Sequence, residues 1–196
     1  QATSNYETYG VLYNWPAVMT EGICPSGWHI PSDGEFTQLT DFLGGESVAG
    51  YAMKSTSGWN SNGNGSNSSG FDGRPGGFAY SGGFSDNGNN GYWWSASEAG
   101  SGSWVRFLGY DFDSVVRSNL YRSDGLSARC VIDYVDECGI PNGDNSTCFT
   151  SCGDDIGHEG YDYSTVQIGE QCWFSENCRY LPSVTANEDS YDVPMY

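Results

Sequence analysis

The 196-residue chain carries 25 acidic residues against 7 Lys and Arg, a formal net charge of −18. That charge opposes contact with phosphate backbones and anionic membranes, so a nucleic-acid partner is excluded. The length suits one well-packed domain with an appendage. Gly (28), Tyr (14) and Trp (7) are abundant while helix formers are scarce, a composition of short strands, many turns and aromatic anchors, so the expected class is α+β, mostly β, with one or two helices.

Seven cysteines, without a CxxC pair and with two histidines, point to disulfides in an oxidising compartment rather than to zinc, and hence to a secreted protein. The sequence holds no signal peptide and no apolar run near the roughly 20 residues of a membrane span. A removed leader or a piece of a longer protein is therefore expected.

In chain order, residues 1–7 look like linker, and Tyr9, Val11, Leu12, Tyr13 and Trp15 read as a strand or extended segment. The stretch CPSGWHIPSDGEF, Cys24 to Phe36, is the most densely specified of the chain. Pro31 stops the extended segment, Ser32 offers its hydroxyl to unpaired helix amides, and Glu35 can reach back to Ser32 N–H, a capping box. Phe36, Leu39 and Phe42/Leu43 recur at helical spacing until Gly44-Gly45 ends the run, so a short amphipathic helix lays one face on a core. Gly50–Trp59 reads as a short strand and a turn. NSNGNGSNSSG (60–70) follows as an exposed, mobile loop; Asn64-Gly65-Ser66 and Asn67-Ser68-Ser69 have the form of sequons, though a plain polar loop is the preferred reading.

Between Phe71 and Val131, GFAYSGGF, GYWWSASE, SWVRFLGYDF, VVRSNLYR and LSARCVID are aromatic-rich runs broken by turn residues, which predicts a twisted antiparallel sheet. Trp93, Trp94, Trp104, Phe107 and Leu108 are assigned to the core. Residues 133–160 then turn acidic and Gly/Asn-rich, a linker; Cys138 and Cys148 lie ten residues apart, an easy closure that would stiffen a segment without a core. Its acids leave a structural calcium open, but the alternation of a calcium loop is absent and solvated charge is preferred. In the last part, 161–196, Tyr163, Thr165, Val166 and Ile168, then Cys172, Trp173 and Phe174 around Gly169, predict a β-hairpin, followed by a loosely structured tail.

No nucleophile finds a partner in the sequence. His29 reads as structural and His158 as solvent-exposed, and no phosphate loop or metalloprotease helix appears. No cofactor and no metal site are expected, and the protein is not expected to be an enzyme. Tyr, Trp, Asn, Asp and Arg between residues 80 and 124 are instead the types that binding surfaces combine. The candidate ligand residues are Trp104, Arg106, Tyr110, Asp111, Asp113, Arg117, Asn119, Tyr121 and Arg122.

YGVLYNWPAV, CPSGWHIPSDGEF, KSTSGW with its Asn/Gly loop and GF, YWWSAS and LSARCV occur in order over residues 9–132. Together they resemble the Fibrobacter succinogenes major paralogous domain, a module of secreted and surface proteins of Bacteroidetes and relatives. The resemblance implies an architecture similar to C-type lectin-like and formylglycine-generating-enzyme-like domains, and an internal Cys24–Cys130 disulfide. The calcium motifs of sugar-binding C-type lectins and the active-site cysteine pair of formylglycine-generating enzymes are absent. With Cys138–Cys148 closed as well, Cys152–Cys172 is the expected third bridge, leaving Cys178 unpaired or intermolecular.

VQIGEQCWFSENCRYLP also resembles a motif of this family, where it normally precedes YGVLYNW; here it comes last. Either the unit is cut out of phase from a tandem array, or the chain is processed between hairpin and body, or the hairpin completes a neighbouring subunit through Val166, Ile168, Trp173 and Phe174. A head-to-tail contact of that kind builds open filaments. The expected function is a non-catalytic extracellular structural or adhesive module at the cell surface, assembled with copies of itself. The alternatives are a monomeric lectin-like module binding glycans or cell-surface proteins and, last, a glycan-active enzyme.

Overall fold

The computed structural model describes residues 4–133 and 152–180. Two sheets share the work. The larger has five strands in the order β1 (Leu12–Tyr13), β8 (Leu126–Ser127), β5 (Asn90–Ala99), β6 (Gly102–Gly109) and β7 (Val116–Tyr121). The smaller has four, in the order β12 (Thr165–Ile168), β13 (Gln171–Phe174), β9 (Val131–Ile132) and β2 (Trp28–His29). Two separate hairpins, β3–β4 (Phe78–Tyr80, Gly83–Ser85) and β10–β11 (Ile156–His158, Tyr161–Tyr163), complete the strands.

The class is α+β and mostly β, but the sheet differs from expectation in two respects. It is not purely antiparallel, because β5 and β8 run parallel through Trp93 and Ser127. LSARCVID does not stay in one sheet either: Leu126–Ser127 joins the larger sheet and Val131–Ile132 the smaller. Arg129 and Cys130 sit where the chain crosses over, so the run is buried on both sides rather than alternating.

The helix α3 (Asp33–Phe42) begins as its sequence requires: Glu35 N–H donates to Ser32 Oγ at 3.2 Å, and Ser32 N–H donates to the Glu35 carboxylate at 2.7 Å. It buries Phe36 and Leu39. Phe42, the last residue of the helix, is not on that face; it lies about 120° round from Phe36, is 65% exposed, and lies over Gly169 of the β12–β13 turn. Residues 4–9 form a helix, α1 (Ser4–Tyr9), instead of linker. Further on, α2 (Trp15–Val18) is capped by Asn14, whose side chain accepts from Ala17 N–H. Ala49–Met53 is the helix α4 rather than a strand. Its Ala49 and Met53 face inward four residues apart, and a side chain at Gly50 would strike the backbone of Asp113 and Ser114.

The polar loop 60–70 is pinned rather than loose. Gly65, Ser66, Asn67 and Ser69 N–H groups donate to the carbonyls of Ser55, Tyr51, Lys54 and Ala52, so the loop supplies acceptors' partners at the exposed end of α4. Ile156–His158 and Tyr161–Tyr163, the first of them placed in the linker by the sequence, pair as β10–β11. His158 is partly covered there, with Nε2 2.8 Å from Gly22 O and its ring against Tyr180.

Two apolar clusters fill the interior. One gathers Tyr13, Trp28, Trp94, Val105, Leu126, Cys130, Tyr163 and Phe174. The other gathers Phe36, Leu39, Trp59, Phe71, Trp93, Leu108 and Trp173. Trp93 and Trp94 point to opposite faces of β5 and so belong one to each. Trp104 and Phe107 are only half-buried. Within the described residues no helix is long and apolar enough to cross a membrane.

Candidate functional site

The C-terminal hairpin is the part of the molecule that most needs explaining, because it is seated in the middle of the core. β13 pairs with β9 at Trp173 and Val131, and Phe174 N–H donates to Cys130 O at 3.0 Å. Its side chains alternate between the two clusters: Cys172 and Phe174 enter the first, Trp173 the second. Phe174 stacks on Tyr163 with ring centroids 4.6 Å apart and meets Trp28 at 4.9 Å; Trp173 meets Phe36 at 5.2 Å. On β12, Ile168 is buried and Val166 partly so. The hairpin is seated on the body of its own chain, with residues 134–151 between the two.

Asn177 fixes the seat with four hydrogen bonds. Its Oδ1 accepts from Trp93 Nε1 at 2.8 Å and from Arg129 at 2.7 Å, while Nδ2 donates to Tyr9 O at 2.9 Å and Ser127 Oγ at 3.1 Å. Both carbonyl and amide are therefore used to the full. Arg129 is buried against the rings of Phe71 and Trp93 and also donates to Phe71 O; burial pulls its guanidinium down to about 9. Next along, Val11 N–H donates to Cys178 O at 3.2 Å. Backbone comes so close that a Cβ on Gly10, at φ +77°, would lie 2.9 Å from Cys178 O, and one on Gly70 would lie 2.5 Å from Val166 Cγ2. Those two glycines let the hairpin in. Tyr6 and Tyr13 hydroxyls close the end by donating to Arg179 O and Tyr180 O, at 3.0 and 2.6 Å.

Beside Asn177 lies a cavity of about 110 Å³ lined by Glu7, Asp72, Arg74, Arg129, Glu176 and Arg179 among others. Arg74 is paired with Asp72 and Arg179 with Glu176, each at 2.8 Å. Its charges are largely matched internally, so the cavity presents no strong field of one sign to a ligand.

Two disulfides are present among the described residues, Cys24–Cys130 and Cys152–Cys172. The second ties the end of the linker to β13. Cys178 is a free, buried thiol, pushed up to about 12 by burial. Cys138 and Cys148 lie outside the described residues.

The nine candidate ligand residues do not converge. Trp104, Arg106, Arg117, Asn119 and Tyr121 do share one face, since Trp104 stands opposite Asn119 and Arg106 opposite Arg117 across β6 and β7. Arg106, however, is 1% exposed and is a strut: it donates to Asp33 Oδ1 at 2.6 Å, Asp33 O and Thr37 Oγ1, holding α3 on the sheet. Arg117 clasps the same carboxylate from outside, at 2.9 Å through both Nε and a terminal nitrogen, and covers the Trp104 ring at 3.4 Å. Burial works to raise the Asp33 carboxyl, but the bonds from Arg117 and Arg106 outweigh it and hold it below the usual range. Elsewhere Asp113 pairs with buried Lys54 at 3.3 Å, and Arg122 pairs with Glu98 at 3.0 Å and lies over Trp15. Tyr110 packs on the second cluster. Asp111, Asn119 and Tyr121 are exposed, Tyr121 at 73%.

His29 lies between two carboxylates, with Nδ1 2.6 Å from Asp133 and Nε2 2.8 Å from Glu35. The Glu35 hydrogen bond is foremost in raising its pKa, burial opposes, and Asp133 adds to the rise. The Ser32 hydroxyl is given to Glu35, so serine and imidazole do not form a nucleophile–base pair. These residues clamp β2 and the end of β9 to the start of α3. Among the described residues, no group of three or more His, Cys, Asp or Glu side chains gathers as metal ligands.

A family model, that of the Fibrobacter succinogenes major domain (Fib_succ_major), matches residues 1–132. The chain belongs to this family. The match covers the larger sheet, α1–α4, β2 and β9, and it ends where the body ends, before the hairpin that fills the Fibrobacter succinogenes major domain's core here. No curated protein and no solved structure matches the chain.

Asn177, Arg129, Gly10, Gly70 and the His29–Asp133 contact were not singled out from the sequence. The one signal for Asn177 was a polar residue set between Phe174 and Cys178, a hairpin end that stays buried. The others depend on which segments the fold brings together.

Proposed function

We propose that this Fibrobacter succinogenes major domain is a non-catalytic extracellular structural module whose hairpin is handed from one copy to the next, joining units head to tail at a cell surface. The observation that carries the reading is that the hairpin supplies two of the four strands of the smaller sheet, together with Asn177, although it lies beyond the 132 residues of the family match. A body without it would expose β9 as an edge and leave Trp93 Nε1 and Arg129 short of a partner. Residues 134–151 separate body and hairpin; fully extended they span up to about 60 Å, or roughly 35 Å with the expected Cys138–Cys148 bridge closed, and a reach of that scale is what a hand-over to an adjacent copy requires. Every contact of the seat is the same whichever copy supplies the hairpin. A heterologous contact of this kind propagates unless its rotation closes. The two disulfides are compatible with secretion.

Sedimentation and electron microscopy of natively purified full-length protein test this. Filaments or ladders of head-to-tail oligomers are expected, and a single compact monomer at every concentration would end the reading. A second reading, a glycan- or protein-binding adhesion module, draws on Tyr121, Asn119 and half-buried Trp104 standing together on the edge strand β7 and its neighbour. Binding on a glycan array that disappears in Trp104→Ala/Tyr121→Ala would support it; silence across the array would count against the glycan form of it.

A further inference from the structure

Three sulfurs meet in one buried cluster: the Cys24–Cys130 disulfide and the Cys178 thiol. Cys178 Sγ lies 3.5 Å from Cys130 Sγ. The backbone holds this proximity from both sides, because Cys178 N–H donates to Ala128 O at 2.9 Å and Phe174 N–H to Cys130 O at 3.0 Å. A disulfide needs about 2.05 Å between sulfurs, so the remaining approach is on the scale of a side-chain torsion rather than a backbone movement. Cys24, the other end of the bond, sits at the rim of the cluster, 9% exposed.

We propose that Cys178 is an exchange partner for Cys130. The Cys178 thiolate attacks Cys130 Sγ; the Cys130–Cys178 bond forms as the Cys24–Cys130 bond breaks; and the electron pair leaves on Cys24 Sγ, which takes up a proton equivalent to the one Cys178 lost. One disulfide and one thiol stand on each side of the step, so no external oxidant is required. Its consequence rests on the proposed hand-over of the hairpin. With a hairpin from a second copy, the new bond joins two subunits covalently at the core of the seat. With the chain's own hairpin, it moves a cross-link within one chain.

Burial decides when the step occurs. Seated, the thiol is held up near 12 and its thiolate is scarce. While the hairpin is entering, the thiol is hydrated, with an ordinary value of about 8.5. Docking is the moment of exchange, and the closed seat preserves whichever bond was made.

The test uses full-length protein prepared in ¹⁴N and ¹⁵N forms. The two are mixed in a reduced/oxidised glutathione buffer, natively alkylated, acid-quenched and digested without reduction; particle size is measured on the same sample. Expected are a Cys130–Cys178 linked peptide and a matching rise in alkylated Cys24, with Cys178→Ser abolishing both. Heavy–light linked peptides support exchange between copies. Linked peptides that are only heavy–heavy and light–light support the exchange step and overturn the hand-over. Absence of a Cys130–Cys178 peptide overturns the exchange step, whatever the particle size shows about assembly. Cys24→Ser, with oxidised glutathione as electron acceptor, provides a second arm: a Cys130–Cys178 disulfide is expected, and Cys130 and Cys178 both left as thiols or glutathione adducts would overturn the proposal independently.

Discussion

Replacing Asn177 by leucine keeps the volume of the side chain and removes all four of its hydrogen bonds. Trp93 Nε1–H and an Arg129 N–H lose their shared acceptor, and Tyr9 O and Ser127 Oγ lose a donor, all beside or inside the core. A stranded buried group costs about 1–3 kcal/mol, more when charged, so the expected loss is on the order of 4 kcal/mol. That is a large share of a net stability of about 5–15 kcal/mol. With a slope of about 2 kcal/mol/M in urea, the midpoint should fall by roughly 2 M. Tryptophan fluorescence follows the transition through Trp93 and Trp173, and hydrogen exchange over residues 161–180 asks whether the hairpin opens first. Trp93→Phe removes one of the stranded donors, so the double variant should lose less than the sum of the singles by about 1 kcal/mol. A midpoint drop below about 0.5 M, with the hairpin amides still protected, would refute the assignment of Asn177 as the anchor of the seat.

The remaining expectations are more local. His29 is raised by Glu35 and Asp133, so its contribution is fully present below its unfolded value of about 6.5 and fades as pH rises through the higher folded value; the stability of the wild type should decline over that window and that of His29→Gln should not. Asp33 and Glu35 are held low, so their contribution is present above their unfolded values and is lost as pH falls through the folded ones, visible as an acid-side decline that Asp33→Asn reduces. Arg106→Leu breaks a buried pair and should cost about 3 kcal/mol, whereas Arg117→Ala, at the surface, should cost about 0.5 kcal/mol; equal effects would mean that Arg106 is not the strut. Cys152 and Cys172 are 20 residues apart, and their replacement by serine should lower stability by about 3 kcal/mol through loop entropy, measured by the same urea titration.

Local chemistry was legible where neighbours in sequence decide it. The Ser32–Glu35 capping box, the α3 residues Phe36 and Leu39, and the hairpin around Gly169 all rest on contacts a few residues long. The binding candidates fared differently: Arg106 carries the same side chain as Arg117 and stands on the same sheet face, yet one is a buried strut and the other lies outside. Both reach the Asp33 carboxylate of α3; Arg106 is covered because β6 is an interior strand, and Arg117 lies outside because β7 is the edge of the sheet. Gly50–Trp59 reads as a short strand and a turn because short apolar runs are ambiguous, whereas Ala49–Met53 is helical and Gly50 packs against the backbone of Asp113 and Ser114, far along the chain.

The hairpin divides the two kinds of knowledge most clearly. From the sequence alone came its existence, its apolar residues, the family it accompanies and its unusual place at the end of the chain. Its seat was decided by tertiary structure, because a strand's side chains alternate whatever it pairs with, whereas Asn177 acquires four partners from Tyr9, Trp93, Ser127 and Arg129 only when four distant segments converge. The same convergence sets Cys178 against Cys130. A cysteine count leaves one thiol over, and only the fold says which sulfur it touches.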